Sequence, residues 1–192
     1  MIYLLRHGET VWNAANRLQG SQDSPLTDRG LAQADRLGRR LAEDLAGQTH
    51  IDAQVSPLGR ARQTAERIAR HIPLAFRQDP RLVEVSFGDW EGLTRTDIAA
   101  RYPADMAAPD WYFRAPGGES FEAARARVSG WLDEVRAGPA AVTVVVCHGL
   151  TGRLARGLFL GLGRAELLEL PVPQDGYYRL SEGRVEYVAC GE

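Results

Sequence analysis

The sequence predicts an α/β domain built on a mainly parallel sheet. Short β-type runs alternate with longer stretches whose apolar residues recur at helical spacing, and the run VTVVVC at 142–147 is apolar or β-branched throughout, as a central strand covered on both faces requires. A length of 192 residues, 44% of them apolar and 25% charged, suits one globular domain over 1–192 that carries a small insertion.

The elements follow in order. Ile2 to Leu5 reads as the first strand and Ile51 to Val55 as the second. Between them Leu31, Ala34, Leu37, Leu41 and Leu45 mark a helix over about 28–46, with Thr27 as N-cap and Asp28 in the first turn, where a negative charge suits the helix dipole. Ser56 followed by Pro57 predicts a cap and a first helical residue, opening a helix that runs to about 71. Phe121, Ala124, Val128, Trp131, Leu132 and Val135 mark a further amphipathic face, and another helix is expected from near Gly149. The stretch 86–118 is different, because Gly88, Pro103, Pro109, Pro116, Gly117 and Gly118 interrupt it while Trp90, Trp111, Tyr112 and Phe113 crowd it with aromatics. It reads either as a loop pinned by its aromatics into a satellite core or as a lid and specificity wall over a pocket.

Composition removes several classes of function. With 23 basic residues against 25 acidic, no global field draws in nucleic acid or an anionic membrane, so any anion must be held by a local cluster. The sequence contains no lysine, which excludes Schiff-base chemistry and a lysine-bearing phosphate loop. G-x-G-x-x-G is absent, Glu166 standing where a third glycine would have to follow Gly161 and Gly163, and H-E-x-x-H is absent too. Two lone cysteines, Cys147 and Cys190, make neither a zinc ribbon nor a disulfide framework and suit a reducing compartment. The apolar run before Arg6 is too short for a signal peptide or a membrane span, and a cytoplasmic location is expected.

In an open parallel sheet, ligands bind beyond the carboxyl ends of the strands. Three predicted strand ends carry chemistry here: Arg6-His7-Gly8-Glu9, Ser56 to Arg60, and His148-Gly149. Two histidines and at least two arginines would converge on one rim, beside helix N-termini whose free amides favour an anion. That is a phosphate site without lysine or metal. A metal centre fits less well, since His7 and His148 have no third ligand at local spacing and the arginines would repel a cation.

Leu5-Arg6-His7-Gly8-Glu9-Thr10, followed by Trp12-Asn13, resembles the phosphohistidine signature of the histidine phosphatase superfamily, the group that includes cofactor-dependent phosphoglycerate mutases. The resemblance continues in register through Pro25-Leu26-Thr27 with Gly30, Ser56-Pro57-Leu58-Gly59-Arg60-Ala61 with Gln63-Thr64-Ala65, Leu82-Val83-Glu84 with Phe87-Gly88 and Trp90-Glu91-Gly92, Gly117-Gly118-Glu119-Ser120, and His148-Gly149. It implies a three-layer α/β/α sandwich. It also implies that His7 takes the phosphoryl group onto its imidazole, that Arg6, Arg60, His148 and the adjoining Gly149 hold the phosphoryl oxygens, that Asn13 adds a side-chain contact, and that Glu84 is the proton donor.

These parts suit the chemistry. Phosphoryl transfer passes through a loose transition state with charge on the equatorial oxygens, so catalysis is mostly positioning and electrostatic stabilisation. Arg6 and Arg60 supply fixed planar donors, and a protonated His148 would add a third positive partner. His7 must be neutral to attack, which neighbouring cations favour. Glu84 would protonate the departing alkoxide and then, as carboxylate, activate water against the phosphohistidine. Glu9, repelled by phosphate, is expected to orient the arginines from behind. Cys147 reads as packing and His50 and His71 as structural, while Arg153 reads either as facing the pocket or as an ordinary helix-surface arginine.

Within the family the activities differ in what takes the phosphoryl group from His7, water or a second substrate oxygen. Mutases also grip a carboxylate, with what resembles a tyrosine-glycine step, a lysine and an arginine pair after a tryptophan. The matching positions here are Phe87-Gly88, Arg95, and Trp111 followed by Tyr112 and Phe113, with Arg95 and Arg114 as partial substitutes. These departures favour a phosphatase, and the Trp90-Glu91-Gly92 and 116–120 segments resemble short bacterial broad-specificity and α-ribazole phosphatases. Phe87, Trp90, Arg95, Trp111, Tyr112 and Arg114 are thus candidate substrate-contacting residues. The segment Pro173-Gln174-Asp175-Gly176-Tyr177 also departs from the family's asparagine-containing turn. The expected partner is a small phosphorylated metabolite and no cofactor is needed, 2,3-bisphosphoglycerate entering only for a mutase. A non-catalytic phosphate-binding module would predict loss of His7, Arg60, Glu84 or His148, and all four are present. Oligomeric state is left open, a homodimer included.

Overall fold

The computed structural model describes residues 1–191. Its strands are β1 (Ile2–Arg6), β2 (Ile51–Val55), β3 (Arg77–Gln78), β4 (Val142–Cys147), β5 (Gly176–Ser181) and β6 (Arg184–Ala189). They form one sheet in the order β3-β2-β4-β1-β5-β6. The pairs β3–β2, β2–β4 and β4–β1 are parallel, and β5 and β6 add an antiparallel edge. The helices among the described residues are α1 (Val11–Ala14), α2 (Asp28–Asp44), α3 (Gly59–Ile68), α4 (Arg95–Arg101), α5 (Pro103–Met106), α6 (Phe121–Ala137), α7 (Gly149–Leu160) and α8 (Arg164–Glu169).

The three layers follow from side-chain alternation along the strands. Tyr3 and Leu5 of β1, Val144 and Val146 of β4 and Val55 of β2 face α2 and α3, where Leu37, Leu41, Ala61, Ala65 and Ile68 cover them. Ile2, Leu4, Val145 and Cys147 face the other way, onto Ala124, Val128, Trp131 and Leu132 of α6 and Leu150 and Leu154 of α7. Every residue of β4 is buried, as a doubly covered central strand demands.

Thr27 caps α2 as the sequence predicts, its hydroxyl accepting from Gly30 N at 3.0 Å. The loop after β1 crosses this first turn at backbone contact. A Cβ on Gly30 would strike the carbonyl oxygen of Glu9, and one on Gly8 would strike that of Gly30.

Helix α3 is shorter than predicted. It begins at Gly59 and ends at Ile68, so Ser56 lies outside its N-cap position, its oxygen accepting from Leu58 N at 3.3 Å and lying 2.7 Å from His148 Nε2. The amides of Gly59 and Arg60 are satisfied by the carboxylate of Asp23, from a loop that the local sequence does not point to.

The stretch 86–118 combines both expected readings. Trp90 is wholly buried and packs against Tyr102 and Trp111, joining the core beneath α6. Phe87, Arg95 and Tyr112, by contrast, line the cleft above the sheet. No described helix is long and apolar enough to cross a membrane.

Candidate active site

Strand register assembles the site. Arg6 pairs with Cys147 and Val55 with Val146, and the pairing runs one step past each strand: His7 N donates to Cys147 O and Ser56 N to Val146 O, both at 3.0 Å. His7, Ser56 and His148 therefore emerge side by side at the carboxyl ends of three adjacent parallel strands. The two imidazoles lie 5.2 Å apart, centre to centre.

His7 is 3% exposed, and its Nδ1–H donates to the Gly8 carbonyl at 2.8 Å. A carbonyl only accepts, so the proton sits on Nδ1 and the lone pair on Nε2. Arg60 Nε–H donates to that Nε2 at 3.3 Å. Burial, then the charges of Arg60 and Arg6, hold His7 well below the usual histidine range. The ring is a neutral base aimed outward.

Arg60 is 1% exposed and almost fully engaged: its Nη1 donates to Gln22 O at 2.6 Å and pairs with Asp23 at 2.9 Å, and its Nη2 donates to Gly20 O at 2.8 Å. Among the described residues, Arg6 is held by one bond, Nη1 to Val172 O at 2.6 Å, while its buried Nε has no protein partner. Burial pushes its pKa down to about 10, Glu84 opposing and Arg60 adding to the shift, so it remains a cation at neutral pH.

The electrostatic argument expects a protonated His148 as a third positive partner; burial, with Arg60, His7 and Arg6, instead holds its pKa well below the usual range and favours the neutral ring. His148 Nε2 and the Ser56 hydroxyl share a hydrogen bond at 2.7 Å, the Ser56 oxygen also accepts from Leu58 N at 3.3 Å, and His148 Nδ1 is a buried atom without a protein partner among the described residues.

Glu84 reaches the cleft from the segment before the lid. Arg127 of α6 fixes that segment through Arg81 O at 2.7 Å and Val83 O at 3.0 Å, while pairing with Glu119. The Glu84 carboxylate caps α7, Oε1 accepting from Thr151 N at 2.9 Å and Oε2 from Leu150 N at 3.0 Å. Gly149 lies between it and Arg6, where a Cβ would sit 3.6 Å from both.

Asn13 Oδ1 accepts from Thr10 N and from Gln174 Nε2, both at 3.2 Å, so the cleft-lining side chain has its amide hydrogens free for a ligand. Gln174 also donates to His7 O at 3.1 Å. The departing segment 173–177 thus braces the histidine loop. Glu91 performs a similar task opposite, accepting from Ser21 N at 2.9 Å, Phe87 N at 3.0 Å and Ser86 Oγ at 3.1 Å.

These groups surround one cleft of about 580 Å³, counting its open mouth. Arg6, His7, Asn13, Arg60, Glu84 and Gly149 line it together. Among the described residues, no group of three or more His, Cys, Asp or Glu stands close enough to hold a metal ion.

The model of the histidine phosphatase superfamily (branch 1) matches residues 2–188. The chain belongs to this superfamily. A curated relative from Yersinia pestis (strain Pestoides F), "Probable phosphoglycerate mutase GpmB", is 37% identical and the match covers 97% of this chain and 84% of that protein. Among solved structures, a mycobacterial glucosyl-3-phosphoglycerate phosphatase in complex with VO3 is 30% identical with a TM-score of 0.83, over 98% of this chain and 96% of that one. The α-ribazole phosphatase from Shigella flexneri is 26% identical with a TM-score of 0.81, over 98% and 94%.

Against what superfamily membership suggests for the lid, three candidates stand away from the cleft. Trp90 and Trp111 are core residues, their rings taken up by packing. Arg114 turns outward to Asp110 at 2.7 Å, four residues back in sequence. Glu9 orients neither site arginine; it pairs with the exposed Arg29 and accepts from Thr27 Oγ1 at 2.9 Å, since Asp23 already serves Arg60. Cys147 is a buried thiol pushed up to about 12 by its burial, as packing alone requires. His71 pairs with Asp35 and His50 contacts Thr49, both far from the cleft. Arg153 faces the pocket. Asp23, Gln174 and Arg17 are cleft or supporting residues that local motif reading passes over; the one clue was that a buried Arg60 needs a counter-charge.

Proposed function

We propose that the protein is a cytoplasmic, metal-independent phosphomonoesterase that acts on small phosphorylated metabolites through a phosphohistidine on His7. The observation that carries this reading is the neutral His7 ring, locked by Gly8 O, with its Nε2 lone pair beside Arg60 at the base of an arginine-lined cleft. Nε2 attacks phosphorus and the bond to the ester oxygen breaks, with Glu84 giving that oxygen its proton. Water then attacks the phosphohistidine, Glu84 takes the water's proton, the N–P bond breaks and phosphate leaves. Arg6 and Arg60 hold the equatorial oxygens, Asn13 adds its amide, and His148 offers its Nδ1–H. The free thiols suit a reducing compartment.

The name of the Yersinia relative supports a second reading, a phosphoglycerate mutase that returns the phosphoryl group to a substrate oxygen and uses 2,3-bisphosphoglycerate. Hydrolysis is the better supported of the two, because Phe87 and the Tyr112-Phe113 pair occupy the positions that differ from a mutase and Arg114 points away from the cleft.

Phosphate release from p-nitrophenyl phosphate, phosphoserine, α-ribazole phosphate and 3-phosphoglycerate in chelator, beside His7→Ala, tests the reading. Release should persist in chelator and vanish in the variant, and an acid-labile, alkali-stable phosphoryl label should form on the wild-type chain alone. Conversion of 3- to 2-phosphoglycerate without release, after adding 2,3-bisphosphoglycerate, would instead establish the mutase.

A further inference from the structure

Arg153 carries a charge that the proposed transfer does not use. It stands in the first turns of α7 and is only 7% exposed, yet it lines the same cleft as His7 and Glu84. Among the described residues nothing accepts from its Nε or Nη1, and no carboxylate lies within ion-pair distance. Its charged neighbours include cations, for its field lowers the pKa of both Arg6 and Arg156. A buried guanidinium with neither counter-charge nor hydrogen-bond partner is costly, and the early turns of a helix add positive potential. Arg156 on the same helix shows the contrast, since its Nε and Nη2 are satisfied by Gly152 O and Pro171 O.

The ring of Tyr112 fixes where this charge sits. The Arg153 guanidinium lies 5.5 Å from the centre of Tyr112, Tyr112 lies 4.1 Å from Trp111, and Arg95 covers Trp111 at 5.4 Å. This cation–ring–ring–cation stack sets Arg153 and Arg95 along the lid flank of the cleft, while Arg6 and Arg60 belong to the His7 end. Arg153 and Arg95 are thus cations of the cleft additional to the pair, Arg6 and Arg60, assigned to the reacting phosphoryl group.

We propose that Arg153 is a specificity-determining residue: it binds a second oxyanion of the substrate, a carboxylate or a phosphate, held apart from the phosphoryl group that reacts at His7. Tyr112 is its platform and Arg95 approaches the same group from the lid. The kinetic form of this inference rests on the hydrolytic reading above; the binding form does not. A fork of guanidinium donors suits either oxyanion, and a substrate lacking one leaves those donors unsatisfied in the cleft.

The test compares matched pairs. For turnover they are 3-phosphoglycerate against glycerol 3-phosphate, and glycerol 1,3-bisphosphate against glycerol 3-phosphate; for binding, 3-phosphonopropionate against propylphosphonate, which cannot be hydrolysed, measured by calorimetry. The wild type should favour the doubly charged member of at least one turnover pair by about 10- to 100-fold in kcat/KM, chiefly through KM, and the pair that gains identifies the group as carboxylate or phosphate. In Arg153→Met that ratio should collapse to about 1, and Arg153→Lys should restore part of it. The phosphonate pair should show the same preference and the same collapse if the group is a carboxylate. A wild type without preference in any pair, or Arg153→Met lowering both members equally, overturns the proposal. Absence of turnover on every ester, with the phosphonate preference intact and lost in Arg153→Met, overturns the hydrolytic reading and upholds this one.

Discussion

Arg60 donates its Nε–H to His7 Nε2 at 3.3 Å, so in the proposed mechanism the cation assigned to the phosphoryl oxygens rests on the nitrogen that would attack. The contact does two things at once. It disfavours a proton on Nε2 by electrostatic repulsion, and it is a weak hydrogen bond that an incoming phosphorus would displace at little cost in the proposed mechanism.

Arg60 in turn leans on Asp23, its one carboxylate partner among the described residues. Asp23→Asn should weaken that pair and the cap it gives α3, lowering stability by about 1–2 kcal/mol, the partly exposed aspartate limiting the loss. Because Arg60 would be held beside His7 mainly by the Gln22 and Gly20 carbonyls, kcat should fall by about 10-fold. Urea unfolding and steady-state kinetics on the same preparation measure both.

Two buried neutral histidines make stability depend on pH in a definite direction. His7 and His148 lie well below the ordinary 6.5 in the folded chain. As pH falls below 6.5, the unfolded chain takes up those protons while the folded one does not, so stability should drop by about 1.4 kcal/mol per pH unit for each histidine until its folded pKa is reached. Above pH 7 their contribution is constant. Unfolding curves at pH 7.5, 6.5 and 5.5 should show the slope, and a His7→Gln/His148→Gln double variant should flatten it.

Glu84→Gln separates acid catalysis from the rest of the site. An alkyl phosphate needs its leaving oxygen protonated and should lose about 10²- to 10³-fold in kcat/KM, whereas p-nitrophenyl phosphate, whose leaving group is stable as an anion, should lose far less. If hydrolysis of the intermediate also depends on Glu84, the aryl ester should show a burst of nitrophenol followed by slow turnover. An equal loss on both esters would remove Glu84 from the acid role.

Gly30→Ala should act against expectation for a helix. Alanine ordinarily gains about 1 kcal/mol over glycine inside a helix, but here its methyl group runs into the Glu9 backbone. The variant should lose about 2–3 kcal/mol, and activity should fall with it because the obstructed loop carries His7. Thermal denaturation and phosphate release would show the two losses together.

Much of this was legible in the sequence. The strand ends bearing Arg6-His7, Ser56 and His148 could be placed on one rim because parallel strands with chemistry at their carboxyl ends leave few other arrangements. What could not be read depended on partners distant in the chain. The opening of α3 was misplaced because Ser56 lies before the N-cap position and its oxygen sits beside His148, 92 residues away. The aromatics at 90 and 111 announce burial, but which of several crowded rings faces the cleft is set by how the lid folds back on α6. Arg153 was ambiguous because helical position alone does not say which face a single turn presents.

The Glu91 carboxylate binds Ser21 on one side and the chain at Ser86 and Phe87 on the other. Ser21 adjoins Gly20, whose carbonyl holds Arg60 Nη2. The cleft wall at Ser86–Phe87 and the loop whose Gly20 carbonyl holds Arg60 are therefore tied together by one side chain. Under the proposed hydrolysis, a substrate that displaced the Ser86–Phe87 wall would also disturb the loop that anchors Arg60, so entry and grip would be coupled.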